Sequence, residues 1–95
     1  TVQAEVAAAN ARVAQARTVA EIQEQRVLPL ARDTVAAMRA GFTVGMDDFA
    51  SIILAEHALR NAELTLARAR VDWLDAQAQL DRATGRLPHT PSSEE

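Results

Sequence analysis

The chain has no cysteine, no lysine and no tyrosine, and only three glycines, three prolines and three aromatic residues. Each shortage narrows what it can be. Without cysteine there is no disulfide framework and no thiolate metal site, although the redox compartment stays open. Trp73, Phe42 and Phe49 are the only aromatics, so the core must come from Ala, Leu, Val and Ile. That composition belongs to long helices rather than to a mixed αβ globule. All ten basic residues are arginine, yet thirteen acids outweigh them. The resulting net charge of −3 offers no basic field, so nucleic acid is not an expected partner. No apolar run approaches the roughly eighteen residues that a bilayer-spanning helix requires. The 95 residues suffice for one small domain and not for two. No signal peptide is visible, and Thr1 is followed at once by a helical pattern, so a piece of a longer protein is expected.

What is present is periodicity. Ile52, Ala55, Leu59, Ala62, Leu66, Ala69, Trp73, Ala76, Leu80 and Ala83 follow an alternating 3-4 spacing without a miss. Large residues hold every a position and alanine every d, which describes a narrow coiled-coil seam. A second stripe, Leu64, Ala67, Val71, Leu74 and Ala78, falls on f and b positions, nearly opposite the first. An ordinary surface helix carries one apolar stripe. Two opposed stripes imply a helix with neighbours on both sides, as in a wall of helices.

The first half is less regular. Val2, Val6, Ala9, Val13, Ala16 and Ala20 form a seam that is interrupted at Gln23. A shifted seam then runs through Leu28, Ala31, Val35, Met38 and Phe42. The change of phase coincides with Pro29, which lacks a donor and clashes with the carbonyl four residues back, at Gln25. A kink or short break near residues 25–29 is expected. Helix one should run over about residues 1–44 and helix two over about 47–84, with the tip at 43–47. Gly45 is suited to the left-handed position that closes helix one, with Gly41 the competing stop. Asp47 can cap helix two, with Asp48 adding charge to its first turn. A short link between long helices makes an antiparallel hairpin, so the fold class is all-α, a two-helix hairpin over residues 1–87. "PHTPSSEE", residues 88–95, reads as a disordered tail.

No constellation carries enzymatic chemistry. Asp47-Asp48 has no histidine or third acid nearby, and its bland reading as a helix start outweighs acid–base or metal work. His57 lies on a helix flank beside Glu56 and Arg60, His89 lies in the tail, and Ser51, Thr43 and Thr65 have no activating base. A two-helix rod offers no cavity for converging polar groups, so no enzyme, cofactor or metal is expected. The tip is less bland. Phe42 and Phe49 should meet to seal the hairpin end, but Val44 and Met46 flank Gly45 where no further helix can cover them. An exposed apolar tip suggests docking.

"GFTVGMDDFASIILAEHALRNAELTLARARVDWLDAQAQLDRATGRL" resembles the last periplasmic helical hairpin of TolC-type outer-membrane efflux channels. The shared order is an aromatic (Phe42), two residues, a glycine (Gly45), a short polar step and a hydrophobic pair (Ile52-Ile53). A long Ala/Leu-rich helix follows and closes on Leu80 and Gly85-Arg86-Leu87. "RVLPLARDTV", with Pro29, resembles the stretch upstream of the tip, and the resemblance covers roughly residues 20–87. It implies the periplasmic portion of a bacterial outer-membrane protein, a homotrimer whose helices form a tunnel. Its membrane contact would be made only by parts absent from this chain.

By the same resemblance, Thr43, Val44, Gly45, Met46 and Asp47 would dock on a periplasmic adaptor protein. Asp48, Ser51 and Leu54 would be the aperture-facing candidates, although Ser51 and Leu54 stand where some members carry acids. Two other readings remain open: the hairpin of an adaptor itself, and a structural coiled-coil module without a transport role. On its own the chain should self-associate through Leu64, Val71 and Leu74.

Overall fold

A computed structural model describes residues 1–85, so the tail and the end of the closing motif at Arg86-Leu87 lie outside the described residues. The fold is an all-α antiparallel hairpin about 67 Å along its long axis. Its first arm comprises α1 (Val2–Ile22), a π turn (Gln23–Val27) and α2 (Leu28–Thr43), and its second arm is the single helix α3 (Phe49–Gly85). Thr1 caps α1, its hydroxyl oxygen accepting from the Ala4 N–H at 3.1 Å.

The α3 seam is buried as its spacing requires. Ile52, Ala55, Ala62, Leu66, Ala69, Ala76 and Ala83 are buried, and Leu59, Trp73 and Leu80 are half-buried. Facing them, Ala9, Ala20, Leu28 and Val35 are buried and Val6, Val13, Ala16, Ala31 and Met38 half-buried. Alanine at alternate seam positions has little side chain to hold the backbones apart, so the arms pack closely along their length. Among the described residues the buried set is wholly apolar, with no polar side chain in need of a partner.

The phase change in the first arm has a definite form. Seam positions advance by three and four up to Gln23, and the next is five residues on, at Leu28. One surplus residue must be absorbed. The π turn does this, because the Leu28 N–H donates to the Gln23 carbonyl, a five-residue step in place of four. Pro29 follows immediately in the first turn of α2, where its missing N–H is least costly. The expected break is thus a bulge within a helical arm. Its effect on packing is large: Leu28 joins Ala62 and Leu66, with Ala31 and Leu59 against them, as the buried cluster at mid-hairpin. Without the surplus residue Val27 would take the seam position.

Two cross-arm ion pairs mark the register. Arg39 pairs with Glu56, and Arg70 Nη2 lies 3.3 Å from Glu24 Oε2. Both are solvated and add little to stability, but they lie on one flank of the hairpin. The Arg39 guanidinium holds the Glu56 carboxyl below the usual range, against a smaller opposing effect of desolvation.

If the π turn exists to absorb one residue, removing that residue should remove the turn. Deleting Gln25 together with Pro29→Ala should leave an uninterrupted α-helical arm with its seam in phase, and thermal unfolding followed by circular dichroism should show equal or higher stability. Deleting Thr65, between the α3 seam residues Ala62 and Leu66 where no slack exists, should instead lower the midpoint sharply. Equal loss in both variants contradicts the bulge reading.

Candidate functional site

The tip is built by three local devices. The first closes α2. The Met46 N–H donates to the Gly41 carbonyl at 2.7 Å and the Gly45 N–H to the Phe42 carbonyl at 3.1 Å. This six-to-one and five-to-two pair is the Schellman arrangement, and it places Gly45 at the position that favours a left-handed residue. Gly45 has φ +79°, and no other residue with positive φ occurs among those described. The helix ends at Thr43, and Gly45 ends it in the conformation its glycine predicts.

The second device opens α3. Asp48, not Asp47, is the capping residue: its Oδ1 accepts from the Ser51 N–H at 2.9 Å, and α3 begins at Phe49. The bond from the Ser51 side chain and that from its backbone hold the Asp48 carboxyl below its ordinary range. Either aspartate could cap by residue type, but only Asp48 accepts from the backbone N–H three residues on.

The third device concerns Gly41, which is no stop. It lies inside α2, and a Cβ there would come within 2.8 Å of Asp47 Cγ and overlap the carboxylate. Asp47, half-buried, folds back over this glycine, and its N–H also points to the Gly41 carbonyl at 3.3 Å. Schellman ends usually carry an apolar contact between the residue in the Met46 position and the one in the Gly41 position. With glycine there, Met46 has nothing to rest on. It is 82 % exposed, and Val44 is 68 % exposed.

Phe42 and Phe49 meet across the bend with ring centroids 6.3 Å apart and a 60° tilt, within the range of favourable aromatic pairs. Both remain substantially exposed, as do Val44 and Met46 between them in the chain, so four apolar side chains make up the cap of the hairpin. Comparison with known protein families, curated proteins and solved structures yields no match.

The remaining sequence candidates fall around this cap. Thr43 is exposed and its hydroxyl donates back to the Arg39 carbonyl at 3.1 Å, which ties it to its own helix. Ser51 and Leu54 each precede a buried seam residue, Ile52 and Ala55, and so share one flank. Glu56, which follows Ala55, lies on the other. Ser51 is engaged by the cap, while Leu54 is largely exposed. The Asp48 carboxylate is taken by the Ser51 N–H, and that of Asp47 lies against Gly41. Among the described residues no three His, Asp or Glu side chains gather where a metal could sit, and the clefts are open furrows between the arms. No described helix is long and apolar enough to cross a membrane.

The cap of α3 has a pH signature. A carboxyl whose folded pKa is depressed stabilises the fold above its unfolded value, and that contribution is lost as pH falls through the folded value. The Ser51 amide proton should therefore titrate with a midpoint below the ordinary aspartate value of 3.8. Nuclear magnetic resonance measures this directly, and a midpoint at or above that value would remove Asp48 from the cap.

Proposed function

We propose that the hairpin is a periplasmic segment of a trimeric outer-membrane export channel and that its tip docks on a periplasmic adaptor protein. The observation that carries the reading is the apolar cap of Phe42, Val44, Met46 and Phe49, held on a backbone fully determined by Gly45, Gly41 and Asp48. A hairpin that needed only to reverse direction would be served by polar turn residues. Here the exposed side chains are large and apolar at the outermost point of a rod, where a partner can reach them and the rod cannot cover them. The order of residues from Phe42 to Gly85 resembles the TolC-type hairpin and supplies the partner's identity. Thr43, Val44, Gly45, Met46 and Asp47 form the docking tip in this reading. An acidic aperture gate is not part of it, because Asp47 and Asp48 are engaged locally and Ser51 and Leu54 are not acidic.

The test uses conformation rather than bulk. Nothing lies within 4 Å of a Cβ added at Gly45, so a side chain there has room and is opposed only by its φ. The left-handed conformation costs most L-residues about 1–2 kcal/mol, while asparagine adopts it readily. In the full-length exporter, Gly45→Val should abolish export and adaptor cross-linking while the trimer still assembles, and Gly45→Asn should retain most of both. Leu66→Asp, which puts an unpaired charge in the seam, should reduce trimer yield itself. Normal export and cross-linking by the Gly45→Val variant would show that the tip does not dock.

A further inference from the structure

The cap of the hairpin holds one side chain with chemistry of its own. Met46 is 82 % exposed, more than any other large apolar residue among those described. The reason is local. At a helix end of this kind the residue in its position usually rests on an apolar side chain, and here that place belongs to Gly41. The Met46 thioether is left in water.

Little else in the chain competes for an oxidant. The sequence has no cysteine, no tyrosine and two methionines. The second, Met38, is half-buried on the first-arm seam, and Trp73 is half-buried on the α3 seam. Oxidation of a thioether follows its exposure, so Met46 is the sulfur that reacts first.

The path of the bend does not use that sulfur. The Met46 N–H donates to the Gly41 carbonyl, Gly45 supplies the positive φ, and Asp48 caps α3. A change at Sδ therefore leaves the backbone as it is and alters only what the cap presents. A thioether is apolar, whereas a sulfoxide is polar and carries an accepting oxygen. Pressed into an apolar contact, that oxygen loses its water and finds no donor.

We propose that Met46 is an oxidation site, and that peroxide-class oxidants release the docked tip by converting its thioether to the sulfoxide. The inference rests on the docking reading above. In this step one peroxide oxygen bonds to Sδ as the O–O bond breaks. The proton on that oxygen passes to the departing hydroxide, which leaves as water. Sulfur gives up two electrons and the peroxide takes them. A thiol-dependent sulfoxide reductase reverses the change: two thiols become a disulfide, the S–O bond breaks, and its oxygen departs as water. A docked partner covers Met46, so oxidation acts on free tips and draws the equilibrium away from docking.

The test has two arms. In the first, the 95-residue chain is treated with hydrogen peroxide, and peptide mass spectrometry follows sulfoxide formation at each methionine. Met46 should oxidise several times faster than Met38, and urea should bring the two rates together. Circular dichroism should not change when Met46 alone has reacted. Equal rates in the folded chain would overturn the assignment of the site.

In the second arm, the full-length exporter is treated with peroxide before it meets its adaptor, and each variant is compared with its own untreated level. Cross-linking by the wild type should fall about ten-fold and recover after treatment with the reductase. Met46→Leu, which has no sulfur at this position, should give the same yield with and without peroxide. A Met46→Leu variant that loses cross-linking as the wild type does would overturn the switch, and so would a wild type that keeps it with Met46 fully oxidised. Untreated wild type that forms no cross-link at the tip would overturn the docking reading and the release step with it, a failure distinct from equal oxidation rates in the first arm.

Discussion

The surplus residue between Gln23 and Leu28 is the constraint on which most of the hairpin depends. A seam that alternates by three and four cannot take an extra residue without rotating everything beyond it by about 100°. The π turn absorbs that rotation within five residues. It delivers Leu28 to the cluster with Ala62 and Leu66, keeps Val35 and Met38 on the seam up to the tip, and turns Val27 and Leu30 outward beside Val19 and Ile22. One local departure from the α-helix thus decides which residues beyond it enter the seam and which stay outside. Pro29 fits this scheme because a proline is tolerated where the hydrogen-bond pattern changes step.

Division of labour along the rod follows from the distribution of apolar surface. The seam of α3 alternates large residues with alanine, and the side chains buried between the arms are all apolar. The path of the tip is fixed by backbone bonding rather than by burial, through Gly45, Gly41 and the Asp48 cap, while Val44 and Met46 remain in water. The flanks carry the remaining exposed apolar residues. A chain with so little core for its length gains from covering those surfaces, and small folds commonly reach stability through partners.

Much of this was legible in the sequence. The α3 seam could be read residue by residue because periodicity over ten positions reports directly on which face is buried. Gly45 and the Phe42–Phe49 contact were legible for the same reason, as each is a local consequence of spacing. Three features were not. The π turn was visible only as a phase change near Pro29, because spacing reveals a slip but not the hydrogen bond that absorbs it. The role of Gly41 depends on Asp47 folding back in space, which no local pattern encodes. The cap passed to Asp48 because two adjacent aspartates are equivalent by propensity and only the bond to Ser51 separates them. Among the exposed apolar residues, Leu64, Val71 and Leu74 are marked by spacing alone, whereas Val19, Ile22 and Leu30 line up only once the π turn is in place.

The seam folds the rod, and we propose that the flanks and the tip are kept for different partners. Native-state amide hydrogen exchange of the isolated chain, followed residue by residue at increasing concentration, tests it most directly. Exchange at the level of Ile22, Leu30, Leu64 and Val71 should slow as concentration rises, while the amides from Phe42 to Phe49 keep their dilute-solution rates. Protection that grows at the tip and not along the flanks would contradict the account, and so would rates that ignore concentration everywhere.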